Sequence, residues 1–512
     1  MARFGFVSGF YTSESPNVDA EECMNFYPES TEGTAAETAL ALYPTPGTAV
    51  FYGLAGQQCS SLINANGRVF AVVSSITGGP GGTLVEIKAD GTGTNRGSIT
   101  YAPGASSMAF NATQLMVASA NHLYLMPLAT NVLTDVSGRL AQPNAARVDY
   151  LDGSFVVFFQ GTNSFQLSAL MDGGTWSGLD VSQVEVFPGN IVSILADHRE
   201  LWVWGGQRSQ VYYDSGSTYS PYVPIPGAYI EAGCAALNSP VRMDNSVFWI
   251  GEDERGARMA WRASGYLPVR VSTHAVETAW SAYSTVADAI SYSYQERGHT
   301  FWVIYFPTAN ATWCYDAATS LWHRRGFWKS SPGVYTAHHS QCHAWAFGTH
   351  LVGDWSGAGV LQMSKLIGSD YDASGVAGNY SIRRQRDAAP VAMEKEWILH
   401  HRLQIDLEPG LGVQTPPTGG PPPAMGRQAV ASLQWSNDAG KTWSSQHDEA
   451  IGNPGEYGRR VIWRRLGRSR NRIYRLIVSD PIPWRITDAY LEATPNYTRP
   501  TERLSAQMRK MA

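Results

Sequence analysis

Eight arginines (Arg459, Arg460, Arg464, Arg465, Arg468, Arg470, Arg472 and Arg475) fall within 17 residues and are interleaved with Trp463 and Tyr474. Residues of this kind at this density can hold phosphates or dock on acidic protein. Each phosphate contact makes binding steeply salt-dependent, and exposed charges are screened over about 8 Å at physiological salt. So dense a patch would grip DNA tightly, and would serve equally as a dock for carboxylates. The favoured reading is contact between Arg459, Arg460, Arg464, Arg465, Arg468 and Arg470 and acidic groups of a neighbouring subunit, with DNA contact as the alternative.

A second candidate is Ser436-Asn437-Asp438-Ala439-Gly440-Lys441-Thr442-Trp443, which fits the Asp-box S-x-D-x-G-x-x-W. The box occurs in sialidases and so raises glycoside hydrolysis. Its residues specify a turn: Asp438 caps backbone amides, Gly440 takes a positive φ and Trp443 packs underneath. A sialidase repeats the box and adds a set of catalytic arginines around an acid, whereas here it occurs once. Asp253 and Glu254, beside Glu252, read as a solvated hairpin turn, since glycosidase chemistry needs two carboxylates held across a cleft.

His338, His339, Cys342 and His343 form the densest ligand-type cluster. Zinc wants four ligands at set spacing, and H-H-x-x-C-H lacks a second matching pair. No G-x-S-x-G, Walker loop or G-x-G-x-x-G stands in a strand-to-helix context. The expectation is a protein without catalytic residues, metal or cofactor.

The elements that position these groups follow from hydrophobic pattern. Residues 301–328 hold three aromatic and β-branched runs separated by turn-prone breaks. In the first, Phe301 to Phe306, both faces are apolar, as in a strand covered on both sides. The short connections demand antiparallel neighbours. The same meander recurs from residue 60, with anchors at Phe70, Met116, Phe155, Trp202, Phe248, Trp302 and Leu351 spaced by roughly 40 to 55 residues, the period of four-stranded propeller blades. Neither a W-D signature nor a kelch glycine pair marks the repeat; stacked sandwiches are the alternative architecture.

The predicted fold is all-β: an N-terminal extended arm (1–55), a β-propeller of six or seven blades (56–380) and a C-terminal β-sandwich-like domain (381–512). In the arm, Asn25-Phe26-Tyr27-Pro28-Glu29 and Leu42-Tyr43-Pro44-Thr45-Pro46-Gly47 set aromatics against prolines that fix the backbone. Sandwich strands are expected at 396–399, 403–407, 431–435, 461–463 and 473–477. The proline-rich run 415–423 is expected as an exposed loop and the last dozen residues as a tail.

Composition agrees. With 50 Gly, 28 Pro, 17 Trp and 25 Tyr in 512 residues, and 16% charged residues, short strands and tight turns are favoured over helices. No apolar run approaches the roughly 20 residues that span a bilayer, and the N-terminus lacks a signal-peptide core, so a soluble protein made in the cytosol is expected. Five scattered cysteines without C-x-x-C predict buried free thiols. The net charge of −5 divides unequally. From residue 381 onward 20 Lys+Arg stand against 13 Asp+Glu, giving +7, and the part before it holds the other 18 and 30, giving −12. Opposite signs suit two surfaces made to meet.

The order arm, propeller, sandwich with a lone Asp-box resembles the packaged-DNA stabilisation proteins of short-tailed bacteriophages, also called tail hub or nozzle proteins. The matching residues are Asn25-Phe26-Tyr27-Pro28-Glu29, Tyr43-Pro44-Thr45-Pro46-Gly47, Trp313-Cys314-Tyr315-Asp316 with Trp322-His323, Trp435 to Gly440, Leu466-Gly467-Arg468-Ser469-Arg470 and Ser479-Asp480-Pro481. The insert near 415–423 fits the resemblance least well. The resemblance implies a virion protein of the tail, a homohexameric ring below the portal and its adaptor, which extends the channel, retains packaged double-stranded DNA and conducts it at ejection. A carbohydrate-binding or glycoside-hydrolysing propeller is the alternative, and a propeller scaffold unrelated to phage a third.

Overall fold

The computed structural model describes residues 2–31, 40–79, 81–101, 104, 106–185, 189–217, 221–253, 255–373, 378–393, 396–410, 428–482 and 485–495. The proline-rich run 415–423, Glu254 and the final dozen residues lie outside them. Among the described residues nearly all of the regular structure is strand, with one α-helix, His274–Ser281.

Seven four-stranded antiparallel sheets follow one another. Blades one to six span 57–100, 107–135, 145–183, 191–230, 241–270 and 290–329. Blade seven takes three strands from 340–364 and its fourth, Gly47–Gly53, from the other end of the chain. The seven anchor residues all fall on the second strand of their blades, and residues 301–328 supply the second, third and fourth strands of blade six. The physical reason is burial on both faces. A second strand lies mid-sheet between two neighbouring blades, so Ser154–Phe159 is buried at every position and His299–Phe306 at all but one. One apolar layer separates each blade from the next. Phe70 and Leu115 meet between blades one and two, Met116 and Phe155 between two and three, and Trp202 and Trp249 between four and five. The ring closes where the first strand of blade seven packs on that of blade one, with Gln341 Nε2 donating to the Cys59 carbonyl at 2.9 Å. A ring has no long free sheet edge, and here its ends are joined by pairing Gly359 with Gly53 and Ser364 with Gly47.

The C-terminal part is a two-sheet sandwich. One sheet runs Val461–Ser469, Ile398–Leu407, Ile486–Pro495, Leu40–Pro44, Phe26–Ser30, with Ala2–Arg3 also on Ile486–Pro495. The runs 396–399 and 403–407, read as separate strands, belong to the single strand Ile398–Leu407, whose register shifts between His400 and Arg402. That bulge breaks the two-residue alternation and so reads as a gap in sequence. The other sheet contains Arg384–Asp387, Asn471–Val478, Ala429–Ser436 and His447–Gly452.

The N-terminal segment joins the two parts. Cys23–Met24 lies between the outer strand of blade six and Arg384–Asp387, so one continuous sheet crosses from propeller to sandwich. Beside it Asn25 takes φ 59°, a left-handed conformation that asparagine tolerates. Its side chain exchanges hydrogen bonds with the Gly326 backbone at 2.8 and 2.9 Å and donates to the Arg383 carbonyl at 2.8 Å. Arg386, fully buried, donates to the carbonyls of Phe6 and Gly9 and to Ser8 Oγ and pairs with Glu21. A buried charge is tolerated only when so engaged. Accordingly one hydrophobic core contains Phe6, Phe10 and Phe26, Trp280 and Trp322 of the propeller side, and Leu403 and Leu476 of the sandwich.

All five cysteines are free. Burial raises the thiol pKa of Cys23 and Cys314 to about 12 and that of Cys234 to about 11. Such thiols are inert.

Candidate functional site

The arginine group divides by strand geometry. Val461–Ser469 is an edge strand of the sandwich, and Val461, Trp463, Leu466 and Ser469 face inward while Arg464, Arg465 and Arg468 are exposed. Arg459 and Arg460 precede the strand and Arg470 follows it; all three are exposed. Arg465 has φ 57° and Gly467 φ 76°, where the strand bulges opposite His400 and Arg402. A bulge with outward arginines guards a strand edge against uncontrolled pairing.

None of these six guanidiniums makes an ion pair with a described residue. Arg468 and Arg470 lie over the Trp397 ring, 4.8 and 5.1 Å from its centroid, a platform that orients a cation without neutralising it. Arg402, the strand partner of Arg464, is itself paired with Glu492 at 2.9 Å. Trp397 and Arg402 stand well before the group in sequence, on the far side of the proline-rich run, and carry no local signal that links them to it.

Arg472 and Arg475 serve the interior. Arg472 is 2% exposed and donates to the Leu466 carbonyl at 2.6 Å, the Arg468 carbonyl at 3.3 Å and Asn437 Oδ1 at 2.8 Å. Arg475 forms a two-point bridge to Asp387 at 2.8 and 2.7 Å and covers the Trp443 ring at 3.4 Å.

The Asp-box is a turn. Asp438 accepts from the Thr442 amide at 2.9 Å and from the Ser436 hydroxyl at 2.7 Å, Ser436 Oγ accepts from the Gly440 amide at 2.8 Å, and Gly440 has φ 86°. Hydrogen bonds from Thr442, ahead of the one from Ser436, lower the Asp438 pKa to about 2. A carboxylate so occupied is no proton donor near neutrality. Trp443 packs under Arg475.

The remaining candidates do not converge. His338 Nδ1 is 2.7 Å from Ser340 Oγ, His339 Nδ1 is 2.9 Å from the Tyr371 carbonyl, and His343 Nε2 is 3.0 Å from His350 Nδ1. His339 precedes the strand Ser340–Ala346 that carries His343, so the two do not sit on one strand face. Among the described residues no group of three or more His, Cys, Asp or Glu could hold a metal ion. Asp253 accepts from the Arg255 and Ala257 amides within its own turn.

The propeller axis is narrow. The inner strands of all seven blades, with Ser60, Arg147, Arg242 and Gln341 among them, surround a cavity of about 210 Å³. Arg147 donates across it to the Leu237 carbonyl at 3.0 Å, and Arg242 pairs with Asp149 at 2.5 Å. A duplex whose major groove alone is about 12 Å wide does not fit there.

Two family models agree with this architecture. The family model described as "Bacteriophage P22 Gp10, beta-propeller" matches residues 4–365, and that described as "Bacteriophage P22 Gp10, beta-sandwich" matches residues 383–494. No curated protein matches. Among solved structures the chain is similar to "YCF48 from Cyanidioschyzon merolae", at 11% identity and TM-score 0.39 over 62% of this chain and 98% of that one. It is also similar to a chain of "Crystal Structure of Mitotic Checkpoint Complex", at 13% identity and TM-score 0.38 over 65% and 96%. Among the described residues no helix is long and apolar enough to cross a membrane. The chain belongs to the bacteriophage P22 Gp10 family, the DNA-stabilising tail hub proteins, and is a structural protein of the phage tail.

Proposed function

We propose that copies of this chain, six by the family resemblance, close into a ring that continues the channel of the portal and its adaptor, retains packaged double-stranded DNA and lets it pass at infection. The observation that carries the reading is the row Arg459, Arg460, Arg464, Arg465, Arg468 and Arg470, exposed and without an ion pair among the described residues, on an open strand edge. A closed ring needs two unlike faces on each subunit. A sequence that carries −12 before residue 381 and +7 from there onward supplies opposite signs for them. The narrow propeller axis supports the same reading, because a DNA passage then has to be built between subunits. An acid-rich lining would repel the duplex weakly and let it slide. The chain acts by assembly and not by catalysis.

The test is charge reversal. Phage carrying Arg464→Glu with Arg465→Glu are expected to package DNA, fail to seat the ring on the portal complex, and lose the DNA. Normal rings together with DNA loss would mean that the arginines touch DNA and that the subunit-contact reading is wrong.

A further inference from the structure

Between blades six and seven, away from the arginine edge, a cleft of about 680 Å³ opens beside the turns at Arg297 and Phe347. That is within the usual size of a small-ligand site. Gln295, Glu296, Arg297, Trp345, Thr349 and His350 line it. Trp345 is 54% exposed. An indole left open on a cleft wall offers a flat apolar face with an N–H at its rim.

The indole is held rigidly. His350 meets it edge-on with centroids 4.6 Å apart, His343 bonds His350 at 3.0 Å, and Tyr292 stacks on His343 at 5.9 Å and 22°. The Trp345 carbonyl accepts from Asn64 Nδ2 of blade one at 2.9 Å. Burial lowers the His343 pKa to about 3 and also lowers that of His350, so the pair is a neutral prop. Across the cleft, Glu296 Oε2 is buried and has no hydrogen-bond partner among the described residues. A buried carboxylate oxygen left so calls for a donor.

The geometry points to a binding site for a neutral pyranose saccharide, its C–H face on Trp345 and its hydroxyls donating to Glu296 and bonding Gln295 and Thr349. Charge decides against a cationic ligand. Arg297 lines the same cleft, and Glu296 already acts on Lys365, whose ammonium bonds Tyr27 nearby. The described lining offers one carboxylate, Glu296, where glycoside hydrolysis ordinarily uses two flanking the bond, so the site is read as a binding one. In a tail protein such a site would hold the virion against surface glycan.

The full-length protein is titrated with maltohexaose and other neutral hexose oligosaccharides, with delipidated bacterial O-polysaccharide, and with a Lys/Arg-rich peptide, following tryptophan fluorescence and saturation-transfer NMR. The expected result is saccharide binding weakened at least about tenfold by Trp345→Ala and reduced by Glu296→Gln, with thermal unfolding unchanged. Binding of the polymer alone would assign the ligand to a cell surface; binding of the oligosaccharides would admit free sugars. The proposal is overturned if no saccharide binds at millimolar concentration, if Trp345→Ala leaves saccharide binding intact, or if the basic peptide is the ligand that Trp345 holds. Ring assembly does not enter the readout, so this result and the failure or success of the ring are separable.

Discussion

His299 Nε2 on blade six lies 3.0 Å from Glu29 Oε2 on the N-terminal segment, while its Nδ1 lies 2.7 Å from Asp316 Oδ2 on the next strand. One imidazole thus latches a strand of the sandwich sheet to the propeller, with Tyr27 edge-on at 5.0 Å. Burial pushes the His299 pKa down, but the hydrogen bonds and charges of Asp316 and Glu29 outweigh it and the net shift is upward. A raised value means the latch stabilises fully below the unfolded histidine pKa of about 6.5 and weakens as pH rises through the folded value. His299→Gln is therefore expected to cost about 1.5–3 kcal/mol at mildly acidic pH, with the gap to the unmodified protein narrowing in mildly alkaline buffer. Denaturant midpoints at the two pH values check this; a gap that stays constant speaks against the latch.

The two kinds of arginine separate by stability. Arg472→Ala leaves the Leu466 and Arg468 carbonyls and Asn437 without their donor and is expected to cost on the order of 3 kcal/mol. Arg464→Ala removes an exposed group and is expected to stay within about 0.5 kcal/mol. Chemical unfolding of the two variants checks the division, and equal losses would mean that the edge arginines serve the fold.

The closing strand Gly47–Gly53 begins with a close backbone approach between Gly47 and the segment that leaves blade seven. A Cβ there would run into the Ile367 and Ser369 carbonyl oxygens, so Gly47→Ala is expected to cost about 1–3 kcal/mol by overpacking. Gly5, with open space around its Cβ position, is the control, and Gly5→Ala is expected to be near neutral. Thermal unfolding, with limited proteolysis of the N-terminal segment, measures both.

The blades were legible because a strand buried on both faces must be apolar throughout: Phe155 to Phe159 or Phe301 to Phe306 announce themselves without any partner. The Asp438 turn was legible because its hydrogen bonds are local. The arginine run was legible as a dense row, but strand geometry decides which members face out, and Arg472 of the same run is buried. The latch and the seam were not. Glu29 and His299, or Gly47–Gly53 and Gly359–Ser364, come together from distant parts of the chain, and short strands such as Cys23–Met24 carry no period. Trp397 gave no sign that it would lie under Arg468 and Arg470. The Trp345 cleft arises between two blades, and a meander pattern says what each blade buries and not what two of them leave open.

The most direct measurement is a reconstruction of the full-length protein bound to its portal and adaptor. A closed ring is expected, with the Arg464 and Arg465 guanidiniums within about 4 Å of carboxylates on the neighbouring subunit's propeller. An open, non-closing arrangement, or these arginines turned into the lumen against phosphate, would contradict the account.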